Sequence, residues 1–247
     1  MASEGISHAL LNFKELAMHL TLLDTDNPEQ QFPAVSKALK NPNGLLAIGG
    51  CLTDTRLINA YQQGIFPWYN PGEPILWWSP DPRLVLFPNH LHVSRSMVKT
   101  LQKQLFSITF DQCFTRVIEA CAAPRSYESG TWLNEEMLEA YTQLHRQGIA
   151  HSVEVWMNKQ LVGGLYGVAI GQVFFGESMF HTETNASKAA FIHLTQHLDT
   201  WGYHLIDCQV RTEHLISLGA EEISRQHFTK LLRQFCPQLP PANAWKK

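Results

Sequence analysis

The sequence predicts an α+β protein in which a small N-terminal domain precedes a larger mixed α/β domain. Its 247 residues are 45% hydrophobic and 17% charged, which is typical of a globular chain with a sizeable core. Residues 67–88 are rich in proline and tryptophan and set a stiff, extended path between the two halves. We therefore predict a first domain at residues 1–82, with residues 1–25 of uncertain order, and a second at residues 83–247.

The first domain is predicted from turn and capping residues. A short strand or helix and then a loop are expected before residue 41, and residues 41–44 (Asn-Pro-Asn-Gly) form a turn by composition. Thr53 can act as the N-cap of a helix that carries Tyr61 and ends at Gly64. The prolines that follow exclude a further helix in this domain.

The second domain is predicted from hydrophobic periodicity and turn residues. Helices are expected at residues 94–104, 111–121, 133–147 and 186–201, and strands at 107–111, 151–156, 161–169, 172–179 and 203–210. Turns at residues 158–159 and 170–171 join the three central strands as hairpins, and a last helical region runs to Phe235. The order of helix, hairpin, strand, helix and strand is that of an N-acetyltransferase-like (GNAT-type) α/β fold.

Charge and composition exclude several classes of protein. The formal charge is −3, from 19 basic and 22 acidic residues, so contact with nucleic acid must use a local patch. The five cysteines are scattered without a CxxC pair, which excludes a zinc ribbon or a thioredoxin-type motif. The first eight residues do not resemble a secretory signal, and no apolar stretch is long enough to span a bilayer. We expect a cytoplasmic protein without membrane contact.

Two polar side chains interrupt the predicted strand at 203–210. Asp207 and Gln209 are two residues apart and share one face, while Ile206 and Cys208 share the apolar face. Holding an acid and an amide on a half-buried strand is costly unless something binds them. The alternative is an edge strand whose polar face is solvated, and the spacing alone does not decide between the two.

A single carboxylate, Glu177, lies among large apolar side chains in the segment 174–180. If it is enclosed, it needs a cationic partner or it will take up a proton. An Arg or Lys elsewhere in the chain is one candidate partner, and a cationic substrate is the other.

Other candidate motifs give weaker signals. His193 and His197 have the spacing of a two-ligand metal face, but the absence of a third ligand favours ordinary surface histidines. Asn185 is a good N-cap for the helix at 186–201. The turn at 180–185 contains no glycine to present backbone amides to a pyrophosphate, which argues against coenzyme A.

Several segments together closely resemble the bacterial leucyl/phenylalanyl-tRNA–protein transferase family. The segments occur in the family's order and span about residues 41 to 230; they are residues 41–50, 64–69, 76–83, 130–132, 176–180, 185–188, 205–209 and 217–220. The tryptophan-proline segment and the last two motifs are the most specific of these. At Cys51 the sequence departs from the acid that the family usually has.

The resemblance implies an aminoacyltransferase with no metal and no nucleotide cofactor. Members transfer leucine or phenylalanine from Leu-tRNA or Phe-tRNA to the N-terminal amino group of proteins that begin with Arg or Lys. This marks those proteins for degradation by the N-end rule pathway. A GNAT-type acyl-CoA-dependent N-acyltransferase is the alternative function.

The resemblance also assigns roles to residues of the donor site. Trp68 and Trp132 match the pair of rings that holds the terminal adenine of the tRNA, and Tyr61 and Tyr141 match residues that line the same site. The positions that match the family's apolar pocket for the leucyl or phenylalanyl side chain are Leu165, Phe174, Phe191, Leu194 and Ile206. Arg95 and Lys99, which by spacing alone are a solvated helix face, match basic positions that face the tRNA.

For the reaction, Asp207 and Gln209 match the catalytic pair, and Glu177 matches the residue near the cationic first residue of the acceptor. Gln209 can accept a hydrogen bond from the attacking amine while Asp207 orients it. A carboxamide is too weak a base to remove a proton, which leaves the 2′-hydroxyl of the tRNA or a water as candidate proton carriers.

Overall fold

The computed structural model describes residues 20–123, 134–240 and 243–245. Its strands form two sheets, the first within residues 21–78 and the second beginning at Arg83. The α+β class is confirmed, with a small N-terminal part ahead of a mixed α/β part. The placement of the domain boundary after residue 82 stays a prediction.

The part of the chain that forms the first sheet contains four strands and one α-helix. The elements are β1 (Thr21–Leu23), β2 (Leu45–Gly49), α1 (Asp54–Gln62), β3 (Phe66–Pro67) and β4 (Leu76–Trp78), with strand order β1-β2-β4-β3. Thr53 occupies the N-cap of α1 as expected, although its side chain makes no capping hydrogen bond. The tryptophan-proline segment is extended and is tied into the sheet, since Trp77 Nε1 donates to the Gly49 carbonyl at 2.8 Å.

The second sheet has seven strands. They are β5 (Arg83–Leu86), β6 (Ser107–Phe110), β7 (Ala150–Met157), β8 (Gln160–Ile170), β9 (Val173–His181), β10 (Leu205–Gln209) and β11 (Glu221–Ile223). Their order is β11-β5-β10-β9-β8-β7-β6, and every described pair is antiparallel except β9 with β10. The two predicted hairpin turns connect β7 to β8 and β8 to β9.

Helices cover both faces of this second sheet. They are α2 (Arg95–Gln102), α3 (Phe114–Ala122), α4 (Glu135–Arg146), α5 (Ala186–Thr200), α6 (Glu213–Ile216) and α7 (Arg225–Phe235). Phe174 of β9 packs in the cluster that contains α5, which we call the α5-side cluster. Its neighbour Phe175 packs in the cluster that contains α3 and α4, the α3/α4-side cluster, because successive strand residues face opposite sides.

Two predictions differ from the structure. The region after β10 is not one helical stretch, since it holds the short α6, the strand β11 and α7. A strand of three residues is too short to show alternation, which is why it was not expected. Asn185 precedes α5 but has a φ of 69° and makes no side-chain capping hydrogen bond.

None of the helices in the described ranges is both long and apolar enough to cross a membrane.

Candidate functional site

The parallel strands β9 and β10 are paired over three residues only, and the candidate site lies where that pairing ends. Leu205, Ile206 and Asp207 pair with residues 173–175. Just beyond, each strand carries a β-bulge against its other neighbour, with Glu177 as the extra residue in β9 and Cys208 in β10. Bulges redirect side chains and interrupt pairing, and they are common beside active sites.

Glu177 is the centre of a hydrogen-bond network at this point. Its carboxylate accepts hydrogen bonds from Tyr61 Oη at 2.7 Å, from Tyr141 Oη at 2.9 Å and from Gln209 Nε2 at 2.9 Å. Burial raises the pKa of Glu177 to about 7, although the two tyrosine hydroxyls act in the opposite direction. The partners of Glu177 in the described chain are therefore neutral donors, and the carboxyl changes its charge near neutral pH.

The two tyrosines reach Glu177 from different parts of the fold. Tyr61 comes from α1 and Tyr141 from α4, and both side chains are buried. Burial, followed by the charge of Glu177, raises the pKa of both phenols well above the usual value, so both remain protonated donors. A third phenol, Tyr166 of β8, lies with its ring centre 5.5 Å from that of Tyr141, and its buried hydroxyl has no partner among the described residues.

Gln209 is held by its backbone and by its side chain. It adopts a left-handed φ of 62°, and its N–H donates to Asp207 Oδ1 at 2.9 Å. Asp207 therefore orients Gln209 through the main chain. Because an ionised Glu177 only accepts hydrogen bonds, the amide of Gln209 presents its nitrogen to Glu177. No described residue donates to the amide oxygen, which leaves it able to accept a hydrogen bond from a substrate.

Asp207 forms a buried ion pair that the sequence did not predict. Arg83 donates to both of its carboxylate oxygens, from Nε at 2.7 Å and from Nη2 at 2.6 Å. The guanidinium lies between the rings of Phe66 and Phe228, 4.7 and 4.8 Å from their centres. The interpretation of β10 as a solvated edge strand is wrong, since β10 lies between β5 and β9.

Arg83 is the residue of this network that sequence reasoning missed. It begins the strand β5, whose other members are apolar and buried. An arginine at the start of a buried strand must have an acidic partner inside the protein. That signal was present in the sequence, but it does not say which acid is the partner.

The five residues predicted to line the donor side-chain pocket are brought together in the structure. They all belong to the α5-side cluster and are 0–4% exposed; they are Leu165, Phe174, Phe191, Leu194 and Ile206. Tyr61 and Tyr141 lie in the α3/α4-side cluster. The predicted pocket and the Glu177 network thus approach the sheet from opposite faces.

The residues predicted to contact tRNA are less closely grouped. Trp68 is half-buried, with its ring centre 5.8 Å from that of Trp78, and its carbonyl accepts a hydrogen bond from Trp78 Nε1 at 2.7 Å. Trp132 lies outside the described residues. Arg95 and Lys99 are exposed on α2, and the structure gives neither of them a contact with Glu177, Asp207 or Gln209.

The two histidines of α5 are not ordinary surface residues. His193 and His197 are half-buried, and their rings pack against Phe110 with centres 5.6 and 4.9 Å away. Burial, with a further contribution from His197, lowers the pKa of His193 to about 4. Within the described ranges, no group of three His, Cys, Asp or Glu side chains is arranged to hold a metal ion.

The turn before α5 is arranged differently from a pyrophosphate-binding loop. The backbone N–H groups of Thr182 and Glu183 both point at the carbonyl of Val162, at 2.8 and 3.4 Å. These amides are therefore occupied by the protein itself and do not form an open anion site.

Comparisons with known proteins identify relatives over most of the chain. Residues 85–233 match the model of the family described as leucyl/phenylalanyl-tRNA protein transferase, and residues 50–81 match the model of its N-terminal domain. A leucyl/phenylalanyl-tRNA–protein transferase of Cellvibrio japonicus is 59% identical over 208 residues, which cover 84% of this chain and 88% of the relative. One from Nitrosomonas europaea is 60% identical over 212 residues, covering 86% and 89%.

Among solved structures, a GCN5-related N-acetyltransferase from Kribbella flavida matches with a TM-score of 0.37 at 14% sequence identity. The match covers 66% of this chain and 58% of that chain.

Proposed function

This chain belongs to the leucyl/phenylalanyl-tRNA–protein transferase family, and we propose that it transfers leucine or phenylalanine from aminoacyl-tRNA to the N-terminal amino group of proteins that begin with Arg or Lys. It is an aminoacyltransferase. The transfer marks its acceptors for degradation by the N-end rule pathway, and it takes place in the cytoplasm, where aminoacyl-tRNA is made.

The observation that carries this proposal is the arrangement of Gln209 between Glu177 and Asp207. The side-chain nitrogen of Gln209 is fixed by Glu177, and its backbone nitrogen is fixed by Asp207. The remaining amide oxygen accepts a hydrogen bond from the attacking amine. Asp207, held in turn by Arg83, acts through Gln209 and is a positioning residue.

The reaction depends more on positioning the amine than on activating the ester. The amine nitrogen attacks the ester carbonyl carbon, a C–N bond forms, and the C–O bond to the terminal ribose of the tRNA breaks. The amine loses one proton, and the ribose oxygen that leaves gains one. Since the ester is already activated, holding an unprotonated amine in line with the carbonyl supplies most of the rate enhancement.

The donor is held by its adenine, its side chain and its phosphates. Trp68, with Trp132, stacks on the terminal adenine, an interaction typically worth about 1–3 kcal/mol per base. The leucyl or phenylalanyl side chain enters the α5-side cluster at its five predicted pocket residues. Arg95 and Lys99 lie on the exposed face of α2 and contact the tRNA backbone.

The acceptor is selected by charge at Glu177. Its three hydrogen-bond partners are neutral, so its ionised form has no formal counter-charge in that network. A cationic first residue of the acceptor supplies that counter-charge at a partly buried carboxylate, where ionic interactions are stronger than on the open surface.

The proposal is tested by incubating the protein with Leu-tRNA and an Arg-initiated peptide and looking for a leucine mass increment. An Ala-initiated peptide of the same sequence is the matched acceptor control and should react more slowly. Acetyl-coenzyme A without tRNA tests the acyl-CoA-dependent alternative, which the inward-bonded amides of Thr182 and Glu183 disfavour. Acetylation of the peptide without any leucine transfer would overturn the proposal.

A further inference from the structure

Phe174 is a pocket residue whose ring is confined by named neighbours. Its ring lies over Gly167 of β8, where an added Cβ would come within 2.6 Å of the ring carbon Cζ. The glycine therefore makes room for the ring on one side. What limits the ring on another side is a residue from the far end of the chain.

That residue is Trp245. Its indole ring stacks on Phe174, with ring centres 5.8 Å apart and planes inclined by 26°. It also stacks face to face on His151, at 3.9 Å and 9°. Trp245 Nε1 donates a hydrogen bond to Tyr203 Oη at 2.8 Å, which fixes the direction of the indole.

Two of the side chains that support this indole are themselves buried. His151 is 5% exposed, and its Nδ1 lies 2.7 Å from Asp111 Oδ2. Tyr203 is 3% exposed and belongs to the α5-side cluster. The indole is thus held by side chains of the second sheet and its flanking segments, and it packs against the same cluster as the five pocket residues.

We propose that Trp245 forms the end wall of the donor side-chain pocket and thereby sets the relative use of leucyl and phenylalanyl donors. This inference rests on the proposed function. The five pocket residues are 0–4% exposed and packed together, so an incoming side chain must displace one of them. Phe174 can move only as far as Trp245 permits, and this limit restricts a phenylalanyl group more than the smaller leucyl group.

Removing the indole enlarges the space behind Phe174. Trp245 is half-buried, and removal of a packed side chain leaves space that the surroundings fill only in part. The enlarged pocket accepts the larger donor more readily, while the leucyl group gains little because it does not reach the added space. The ratio of kcat/KM for Phe-tRNA to that for Leu-tRNA should therefore rise in Trp245→Ala by about tenfold, the lower end of the discrimination that one methylene group provides.

The experiment measures that ratio with one Arg-initiated peptide for the wild type, Trp245→Ala and Trp245→Phe. Trp245→Phe keeps an aromatic ring and should raise the ratio by less. The matched control is Trp156→Ala, which removes a half-buried tryptophan that has no ring contact with Trp245 or Phe174 among the described residues, so the ratio should not change. Thermal melting of each variant shows whether it folds.

An unchanged ratio in a folded Trp245→Ala protein would overturn the inference. An equal rise in kcat/KM for both donors would also overturn it, because it would mean that Trp245 blocks the pocket without distinguishing the two side chains. If Trp245→Ala does not fold, Trp245→Phe decides by the same criteria. A wild type that transfers neither amino acid contradicts the proposed function itself. A wild type that transfers both, with the same ratio in all variants, contradicts only the role of Trp245.

Discussion

Arg83 donates hydrogen bonds to both carboxylate oxygens of Asp207, from Nε at 2.7 Å and from Nη2 at 2.6 Å, and both side chains are at most 1% exposed. A two-pronged contact fixes the carboxylate in direction as well as in position. The same carboxylate receives the backbone N–H of Gln209 at 2.9 Å. The place of Gln209 is therefore determined by an ion pair between the first residue of β5 and the middle of β10.

The first prediction concerns the stability of this pair. Asp207→Asn leaves the buried guanidinium of Arg83 without its counter-charge, and breaking a buried pair on one side typically costs about 3–5 kcal/mol. We expect a loss of that size in the free energy of unfolding, measured in urea. The double variant Arg83→Met with Asp207→Leu should lose less than the Asp207→Asn single variant, because no charge is left buried. If the loss in the double variant equals the sum of the losses in the single variants Arg83→Met and Asp207→Leu, the pair is not coupled.

The second prediction concerns acceptor selection and pH. Since the pKa of Glu177 is raised to about 7, its charge is gained as the pH rises from 6 to 8. The preference for an Arg-initiated over an Ala-initiated peptide, expressed as a ratio of kcat/KM, should increase over that range. Deprotonation of the peptide amine affects both peptides alike and cancels in the ratio.

Glu177→Gln provides the control for this prediction, because it keeps the shape and removes the charge. Its Arg-to-Ala ratio should be low and independent of pH, with the use of aminoacyl-tRNA nearly intact. A mutant that keeps the wild-type preference would make Glu177 a structural acid and transfer the selection to another residue.

The third prediction follows from the same pKa by linkage. The folded protein retains the proton of Glu177 up to about pH 7, whereas the unfolded chain releases it near the ordinary value of 4.5. The folded state thus binds more protons between these values, and stability falls as the pH rises through them. Glu177→Gln lacks this penalty and should be more favourable relative to wild type at pH 8 than at pH 5, by roughly 3 kcal/mol at most. Equal differences in urea unfolding at the two pH values would contradict it.

The fourth prediction concerns Trp68. Its side chain cannot transfer a proton but can stack on a base, so Trp68→Ala should raise the KM for aminoacyl-tRNA by about tenfold with a smaller change in kcat. The comparison is Trp156→Ala, which removes a half-buried tryptophan of β7 that hydrogen-bonds Thr109. Identical kinetics for wild type and a folded Trp68→Ala protein would make Trp68 a packing residue only.

The fifth prediction concerns Arg95 and Lys99. Replacing both with Glu should weaken the binding of different Leu-tRNA isoacceptors by similar factors, because phosphate contacts carry no sequence information. The salt dependence of binding should also become shallower. Lys230 and Arg233, exposed on α7, are the matched pair whose replacement should change neither property. A loss confined to one isoacceptor would indicate base recognition instead.

Local signals in the sequence were sufficient for much of the fold. The helix α1 begins after Thr53 and ends before Gly64. Turn residues connect β7 to β8 and β8 to β9. The family resemblance assigned Tyr61 and Tyr141 to the adenine site, and it assigned Glu177 and Gln209 to the acceptor and the reaction. The structure joins all four in one hydrogen-bond network. Each of these features depends on residues close in sequence or on a motif.

The features that were not predicted depend on distant pairing. Arg83 and Asp207 are 124 residues apart, and nothing in either segment identifies the other as its partner. Whether β10 is an edge or a central strand depends on β5 and β9, not on the alternation within β10. The bulges at Glu177 and Cys208 likewise arise from how neighbouring strands align, which periodicity within one strand does not reveal.

The hydrogen bond from Tyr61 to Glu177 has a consequence for how the protein becomes active. Tyr61 belongs to the helix of the first sheet, and Glu177 belongs to the second sheet, so neither half of the chain contains the complete network. Phe66 of β3 likewise covers the guanidinium that holds Asp207. A fragment with only the second sheet would retain Gln209 and Glu177, but it would lose Tyr61, which donates a hydrogen bond to Glu177. Activity should therefore return, after unfolding, only when the two halves of the chain have packed together. The rate at which activity is recovered then measures the rate of that step.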